Sequence, residues 1–264
     1  MIAVIGAGKM GEALVSGLLT AGTSPDDLII TERYEERARE LSQRYGVKSV
    51  SNADAAEQAD TIVIAVKPQD MDALLAELAP VVTAGHLIVT IAAGITTAAI
   101  ERRLAAGVPV VRVMPNTPAL VGEAMSAVAA GAHAAAEHLD RAEALFRPVG
   151  RVVRLPESQL DAVTALSGSG PAYVFYLVEA MTDAGILLGL PRAVAHELIV
   201  QTVYGAAVML RDTGEHPVAL REAVTSPAGT TISAIRELEN HGVRAAFLAA
   251  LEAARDRSRE LAGE

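Results

Sequence analysis

Over residues 1–155 short runs of β-branched and aliphatic residues alternate with longer stretches of helical period. The runs are IAVIG (2–6), LIIT (28–31), TIVIAV (61–66), HLIVTIA (86–92), PVVRVMP (109–115) and RVVRL (151–155). Consecutive apolar positions mean that both faces of a run are to be buried, as in a parallel sheet covered by helices. Between the runs, 10–21, 34–45 and 70–78 are predicted helices. The alternation predicts a Rossmann-type, doubly wound α/β domain over 1–155.

From 156 to 264 the strand pattern disappears and an all-α domain is predicted, with helices over 173–188, 192–211, 231–239 and 243–261. In the last of these Phe247, Leu251, Ala254, Ser258 and Leu261 form a stripe spaced by four and three, suited to one buried face. The segment AYVFYLVEAMTDAGILLGL is different: only Glu179, Thr182 and Asp183 interrupt an apolar surface. A helix apolar nearly all round must be covered on most sides, and a domain of this size can hardly do so alone. A partner subunit is therefore expected. Glu179 and Asp183 lie four apart on one helix face, which reads as a solvated or interface stripe rather than an acid–base pair.

Composition narrows the function classes. Hydrophobic residues make up 51% of the chain and aromatics only 3%, so the core must be built from Ala, Val, Leu and Ile. A formal charge of −10 with no basic stretch argues against nucleic acid and anionic membrane as partners. There are no cysteines and the six histidines are scattered, so no metal is expected. The apolar stretch VVTAGHLIVTIAAGITTAAI is interrupted by glycines, a histidine and threonines, and reads as strand–turn–helix rather than a membrane span. Met1 leads directly into the first strand without a basic leader, and a cytoplasmic location is the expectation.

The candidate chemistry begins at the first strand–helix junction. In GAGKMG, Gly6, Gly8 and Gly11 have the G-x-G-x-x-G spacing, with Lys9 and Met10 between them. Gly6 permits the tight turn, Gly8 the approach of a pyrophosphate, and Gly11 the close packing of helix on strand. The helix N-terminus then offers free N–H groups to phosphate. After the second strand, Glu32 stands 21 positions beyond Gly11, where an acid binds the ribose hydroxyl of NAD. Arg33 follows, and an Arg there suits the 2′-phosphate of NADP. The two readings oppose one another. Three further junctions carry polar or glycine-containing loops: AVKPQ, with Ala65, Val66, Lys67 and Pro68; AAGI, with Ala93 and Gly94; and MPNTPA, with Asn116 and Thr117. Carboxyl ends of strands are where open α/β sheets bind ligands, and three such loops point to a cofactor crevice.

Taken in order, GAGKMG, AVKP, AAGI, MPNTPA, LSGSGPAY (166–173) and TSPAGTT (225–231) resemble the pyrroline-5-carboxylate reductase family, over essentially the whole chain. The resemblance implies hydride transfer from NADP(H), with NAD(H) possible, to the imine carbon of 1-pyrroline-5-carboxylate, giving L-proline. It implies a homodimer through the C-terminal helices, assembled into a larger oligomer. Ser226, Gly229, Thr230 and Thr231 are implied to hold the substrate carboxylate, from the neighbouring subunit, and Thr231 to bond the ring nitrogen. Asn52 is placed near the adenosine 2′ position and Arg33 at a 2′-phosphate. The family's second glycine in the last motif is Ala228 here. In LSGSGPAY, Ser169 is expected to cap a helix with Pro171 in its first turn. Two other readings share the glycine loop. One is a different reductase, such as a hydroxyacid dehydrogenase or a deazaflavin-dependent NADP oxidoreductase. The other is a dinucleotide-binding module without catalysis. A hydroxyacid dehydrogenase needs a Lys or His base in the helical half, which has no Lys and has only His196, His216 and His241.

Overall fold

The computed structural model describes residues 1–262. It divides into two compact units, one of Met1–Ser169 joined by the chain's last residues from Ala254, the other of Gly170–Ala253.

The first unit is built on eight strands: β1 (Ile2–Ile5), β2 (Leu28–Thr31), β3 (Lys48–Ser49), β4 (Thr61–Ile64), β5 (Leu87–Thr90), β6 (Val110–Met114), β7 (Ala124–Ala130) and β8 (Gly150–Arg154). Its helices are α1 (Lys9–Thr20), α2 (Glu35–Tyr45), α3 (Asn52–Gln58), α4 (Met71–Leu78), α5 (Thr97–Glu101), α6 (Ala136–Phe146) and α7 (Leu160–Val163). The strand order is β3-β2-β1-β4-β5-β6-β7-β8, parallel except where β6 meets β7. The chain therefore winds outward from β1 in one direction and from β4 in the other, and the crevice between them is the switch point of a doubly wound sheet. Register pairs Ile5 with Thr31 and Ile64, and Ile64 with Thr90, so the loops after β1, β2, β4 and β5 leave from one level edge.

Side chains alternate across the sheet. Val4, Val63, Val89 and Val111 face one core with Leu14, Leu18, Leu145 and Phe146. Ala3, Ile62, Ile64, Ile88 and Val110 face the other with Leu74, Leu75 and Leu78. The consecutive apolar runs are thus buried on both faces, and each fully buried aliphatic side chain contributes roughly 1.5–3 kcal/mol.

Two strands were not expected. β3 has only two residues, too short for a periodic signal. β7, AMSAVAA, is alanine-rich with one β-branched residue, and the left-handed Gly122 at φ 75° reverses the chain into it. That reversal makes β7 and β8 run against the other strands. The expectation that RVVRL is buried on both faces is corrected: Arg151, Val153 and Arg154 are exposed, because β8 is an edge strand, where charge suits solvent. Helices α3 and α6 were likewise not expected.

Ser169 is not an extended N-cap. Residues 164–168 form a π-helical turn in which the Ser169 N–H donates to Thr164 O (2.8 Å), and Ser169 itself has helical backbone. The turn runs directly into α8 (Gly170–Leu187) of the second unit. Pro171 has no N–H to give Ser167 O, four residues back. That carbonyl is served instead by Asn116 Nδ2 (3.1 Å), from the loop after β6.

The second unit holds α8, α9 (Arg192–Thr213), α10 (Pro217–Ala223, not expected), α11 (Thr230–Asn240) and the start of α12 (Val243–Ala262). α8 and α9 pack closely enough that a Cβ on Gly185 would lie 2.8 Å from Ala195 Cβ. Thr182, Ala195 and Ile199 are its buried residues among those described. Phe175, Tyr176, Leu187, Leu188 and Tyr204 are each more than 60% exposed, a surface that a lone helical unit does not leave bare in water. α9 is also long and apolar enough, by length and composition, to cross a membrane, but its exposed face belongs to this same apolar surface.

Candidate active site

The glycine loop separates into positions the protein needs and one it does not. Gly6 has φ 90°, and a Cβ there would lie 3.0 Å from the Ala65 backbone and from Val66. Gly11 would place a Cβ 2.5 Å from Gly6 O. Both are required by backbone approaching backbone. Gly8, by contrast, would put a Cβ in open space, with nothing within 4 Å. Its identity is not explained by packing; in a G-x-G-x-x-G loop the second glycine is the position whose bareness would admit a phosphate. Gly8 is the N-cap of α1 and offers no side chain to the first N–H groups, those of Lys9, Met10 and Gly11. Gly6 and Ala7 N–H are both spent on Thr31 O (3.1 Å each), which fixes the loop to the neighbouring strand.

At the end of β2, Glu32 accepts a hydrogen bond from the Tyr34 N–H (3.2 Å), so its carboxylate is engaged with its own turn. Arg33 is exposed and has no ion-pair or hydrogen-bond partner among the described residues. Its neighbours differ: Arg37 and Arg44 are held by Glu12 and Glu40. Asn52 opens α3, with Ser51 as the N-cap, and its Oδ1 accepts from Thr31 Oγ1 (2.7 Å) while Nδ2 donates to Glu77 (2.8 Å). The structure thus brings Arg33 and Asn52 to the β2 end of the sheet edge.

Ala65, Val66, Lys67 and Pro68 follow β4 at the same edge, Ala65 N–H being held by Ile5 O (2.8 Å). Lys67 is exposed and, like Lys9 and Arg33, unpaired among the described residues. Three unneutralised cations flank the uncapped start of α1 in a chain of net charge −10, which makes this edge locally receptive to anions. Ala93 and Gly94 follow β5, Gly94 with φ 72°. Asn116, expected at the cofactor, has both ends of its amide occupied: Oδ1 accepts from Met125 N–H (2.9 Å) and Nδ2 donates to Ser167 O.

In the second unit the loop 224–229 ends at Gly229, the N-cap of α11, which has no side-chain cap. Thr230 and Thr231 are the helix's first two residues. The hydroxyls of Ser226, Thr230 and Thr231 make no hydrogen bond within the described chain, whereas Ser233 Oγ is spent on Gly229 O (3.1 Å) and Thr225 Oγ1 on Arg221 O (2.6 Å). Free N–H groups and free hydroxyls therefore converge at one helix start. A Cβ on Gly229 would collide with Ser226 Oγ, and Ala228 is left-handed at φ 58°. The loop is wound tightly around that start. Of the two acids on α8, Glu179 is exposed and Asp183 pairs with Arg192 (3.2 Å).

One group was missed by sequence reasoning. Arg112, inside β6, is buried and pairs with Glu157 Oε1 (3.3 Å), and Glu157 also accepts from Thr97 N–H (2.8 Å) and Thr97 Oγ1 (2.6 Å). The signal was a lone charge within the otherwise apolar run PVVRVMP.

A family model described as pyrroline-5-carboxylate reductase dimerisation matches residues 157–261. One described as NADP oxidoreductase, coenzyme F420-dependent, matches residues 1–94, which include the glycine loop. A pyrroline-5-carboxylate reductase of Corynebacterium melassecola is 50% identical over 98% of this chain and 98% of its own. Among solved structures, a pyrroline-5-carboxylate reductase from Coxiella burnetii superposes with a TM-score of 0.93 at 38% identity, covering 98% of this chain and 97% of that one. The pyrroline carboxylate reductase of Plasmodium falciparum, solved with NADP bound, gives 0.89 at 28% identity, covering 99% and 97%. On identity sustained over nearly the full length of both chains, this protein belongs to the pyrroline-5-carboxylate reductase family.

Proposed function

We propose that the protein reduces 1-pyrroline-5-carboxylate to L-proline, the last step of proline biosynthesis, using NADPH in preference to NADH, in the cytoplasm. The substrate assignment is carried by the start of α11, where an uncapped helix N-terminus and three hydroxyls without a partner among the described residues meet without a formal positive charge. Such a site suits a small carboxylate.

In this reading Gly229, Thr230 and the Ser226 hydroxyl hold the substrate carboxylate, and Thr231 Oγ1 hydrogen-bonds the ring nitrogen. The dinucleotide, when bound, supplies the hydride that adds to the imine carbon. The substrate enters as an iminium already carrying its proton, so the nitrogen leaves as a secondary amine and no strong acid or base of the protein is needed. What the chain contributes is orientation and exclusion of water. The start of α1, from Gly8 to Gly11, takes the pyrophosphate, with Lys9 and Met10 alongside. The loops of Ala65, Val66, Lys67, Pro68, Ala93 and Gly94 line the rest, and Asn116 acts by bracing the loop after β6.

The preference for NADPH is supported by the exposed, unpaired Arg33 and by Glu32 being turned into its own turn, with Asn52 beside them. The bare apolar surface of α8 and α9 supports a homodimer through the helical units, assembled into a larger oligomer, with each loop 226–231 serving the dinucleotide of the partner subunit. The test is a steady-state comparison of NADPH and NADH with pyrroline-5-carboxylate, read by absorbance of the reduced cofactor. Consumption that depends on this substrate and is faster with NADPH is the expected result. Binding of the dinucleotide without consumption would refute the reductase reading.

A further inference from the structure

The helix after the AAGI loop is only five residues long, Thr97–Glu101, too short to hold itself. Its start is held from outside. Thr96 Oγ1 accepts from Ala99 N–H (3.2 Å), and Glu157, 60 residues further along the chain, takes both the N–H and the hydroxyl of Thr97. Thr97 is 3% exposed and the Arg112 side chain 4%, whereas the Glu157 side chain is 24% exposed, so the group is part-buried, with its arginine and threonine inside and its carboxylate reaching toward water. Burying even one partner of an ion pair is a poor way to gain stability, and Arg112 Nη2 has no hydrogen-bond partner among the described residues. What the pair does achieve is to fix a carboxylate at one place.

A second bond leaves the same short segment. Asp161 Oδ1, four residues after Glu157, accepts from Ser258 Oγ (2.6 Å), which is 5% exposed on the last turns of α12. Those turns bring Leu261 to the loop: a Cβ added to Gly94 would lie 3.4 Å from the Leu261 backbone. The loop 92–96 is therefore bounded at its far end by Glu157 and over Gly94 by α12, and both restraints start from residues 157–161.

We propose that Glu157 and Asp161 form a bracket that positions the loop 92–96 against the dinucleotide, Glu157 through Thr97 and Asp161 through Ser258 and the end of α12. They are positioning residues, acting through the loop. The proposal rests on the reading that Ala93 and Gly94 line the dinucleotide site. The bracket predicts that loosening either bond weakens dinucleotide binding more than it affects the imino acid.

The experiment compares full-length wild type with Thr97→Val, Thr97→Ser and Ser258→Ala. It measures NADPH Kd by fluorescence of the reduced nicotinamide, KM for each substrate, and Tm. Loss of a hydrogen bond to the part-buried Glu157 carboxylate should raise the NADPH Kd and KM of Thr97→Val roughly tenfold. KM for pyrroline-5-carboxylate should stay near the wild-type value, and Thr97→Ser, which keeps the hydroxyl, should restore most of the NADPH affinity. Ser258→Ala should raise the NADPH Kd by a smaller factor. An unchanged Kd in Thr97→Val, no rescue by serine, or equal rises in both KM values would overturn the bracket. Should Thr97→Val not fold, an unchanged Kd in Ser258→Ala overturns it. A wild type that binds NADPH but does not reduce pyrroline-5-carboxylate would remove the proposed activity, while the Kd comparison still decides the bracket.

Discussion

Asn116 donates from Nδ2 to the carbonyl of Ser167 across 51 residues of sequence, at 3.1 Å, and this carbonyl is available because Pro171 has no N–H to offer it. The same amide accepts from Met125 N–H, so one side chain ties the end of β6, the start of β7 and the π-helical turn together. Asn116→Asp keeps the acceptor but sets a carboxylate oxygen against a carbonyl. Asn116→Asp is expected to lower unfolding free energy by about 1–2 kcal/mol, the cost of an unsatisfied polar group at a part-buried position, measured by urea denaturation. A variant as stable as wild type would show that the bridge is dispensable.

Gly8 and Gly11 should respond in opposite ways to the same added methyl. Gly11→Ala forces a Cβ to 2.5 Å from Gly6 O and should destabilise the fold by upwards of about 2 kcal/mol. Gly8→Ala meets no protein atom and should fold with near-wild-type Tm while raising KM for the dinucleotide at least about tenfold, because the methyl occupies the approach to the pyrophosphate. Dinucleotide titration alongside thermal unfolding separates the two.

Thr231→Ala should lower kcat while dinucleotide affinity stays near normal, since the hydroxyl has no hydrogen bond among the described residues and its loss leaves the α1 site untouched. Loss of one hydrogen bond to a charged centre predicts a fall of roughly tenfold to a hundredfold. Unchanged turnover would remove Thr231 from the chemistry.

Ala228 is the one non-glycine residue with positive φ among those described. A left-handed backbone costs an alanine roughly 1–2 kcal/mol, and glycine's greater freedom in the unfolded chain takes back about 0.5–1. Ala228→Gly should therefore be neutral to slightly stabilising, by up to about 1 kcal/mol, when unfolding is followed by calorimetry. A clear loss of stability would mean that the methyl makes a contact outweighing the strain.

Acid stability should depend on Glu143. The Arg154 guanidinium first, then Arg147, holds its carboxyl below the usual range. A folded value below the unfolded value of about 4.3 means that this contribution is complete above that pH and is lost as pH falls through the lower, folded value. Glu143→Gln should accordingly be less stable than wild type at neutral pH, with the difference shrinking below about pH 4. Parallel unfolding curves from pH 3 to 7 test this, and a gap that stays constant would contradict it.

The doubly wound sheet was legible because its signals are local. Runs such as TIVIAV announce burial on both faces, and G-x-G-x-x-G needs only six consecutive residues. β7 escaped because alanine carries little strand preference, and its pairing with β6 depends on a reversal at Gly122 rather than on its own composition. β8 was misjudged because RVVRL has the same apolar centre as a buried strand, and only its place at the sheet edge exposes it.

By itself, then, the sequence determined the strand–helix alternation, the glycine loop and the hydroxyl- and glycine-rich loop before α11, all set by periodicity and backbone freedom within a few residues. Tertiary structure alone decided that a Cβ on Gly8 has no neighbour within 4 Å, that Asn116 is a brace, and that Arg112, Glu157 and Thr97 form one part-buried group. The last two depend on partners 45 to 60 residues apart, and a chain's pattern carries no record of which distant residue will supply the other half of a hydrogen bond.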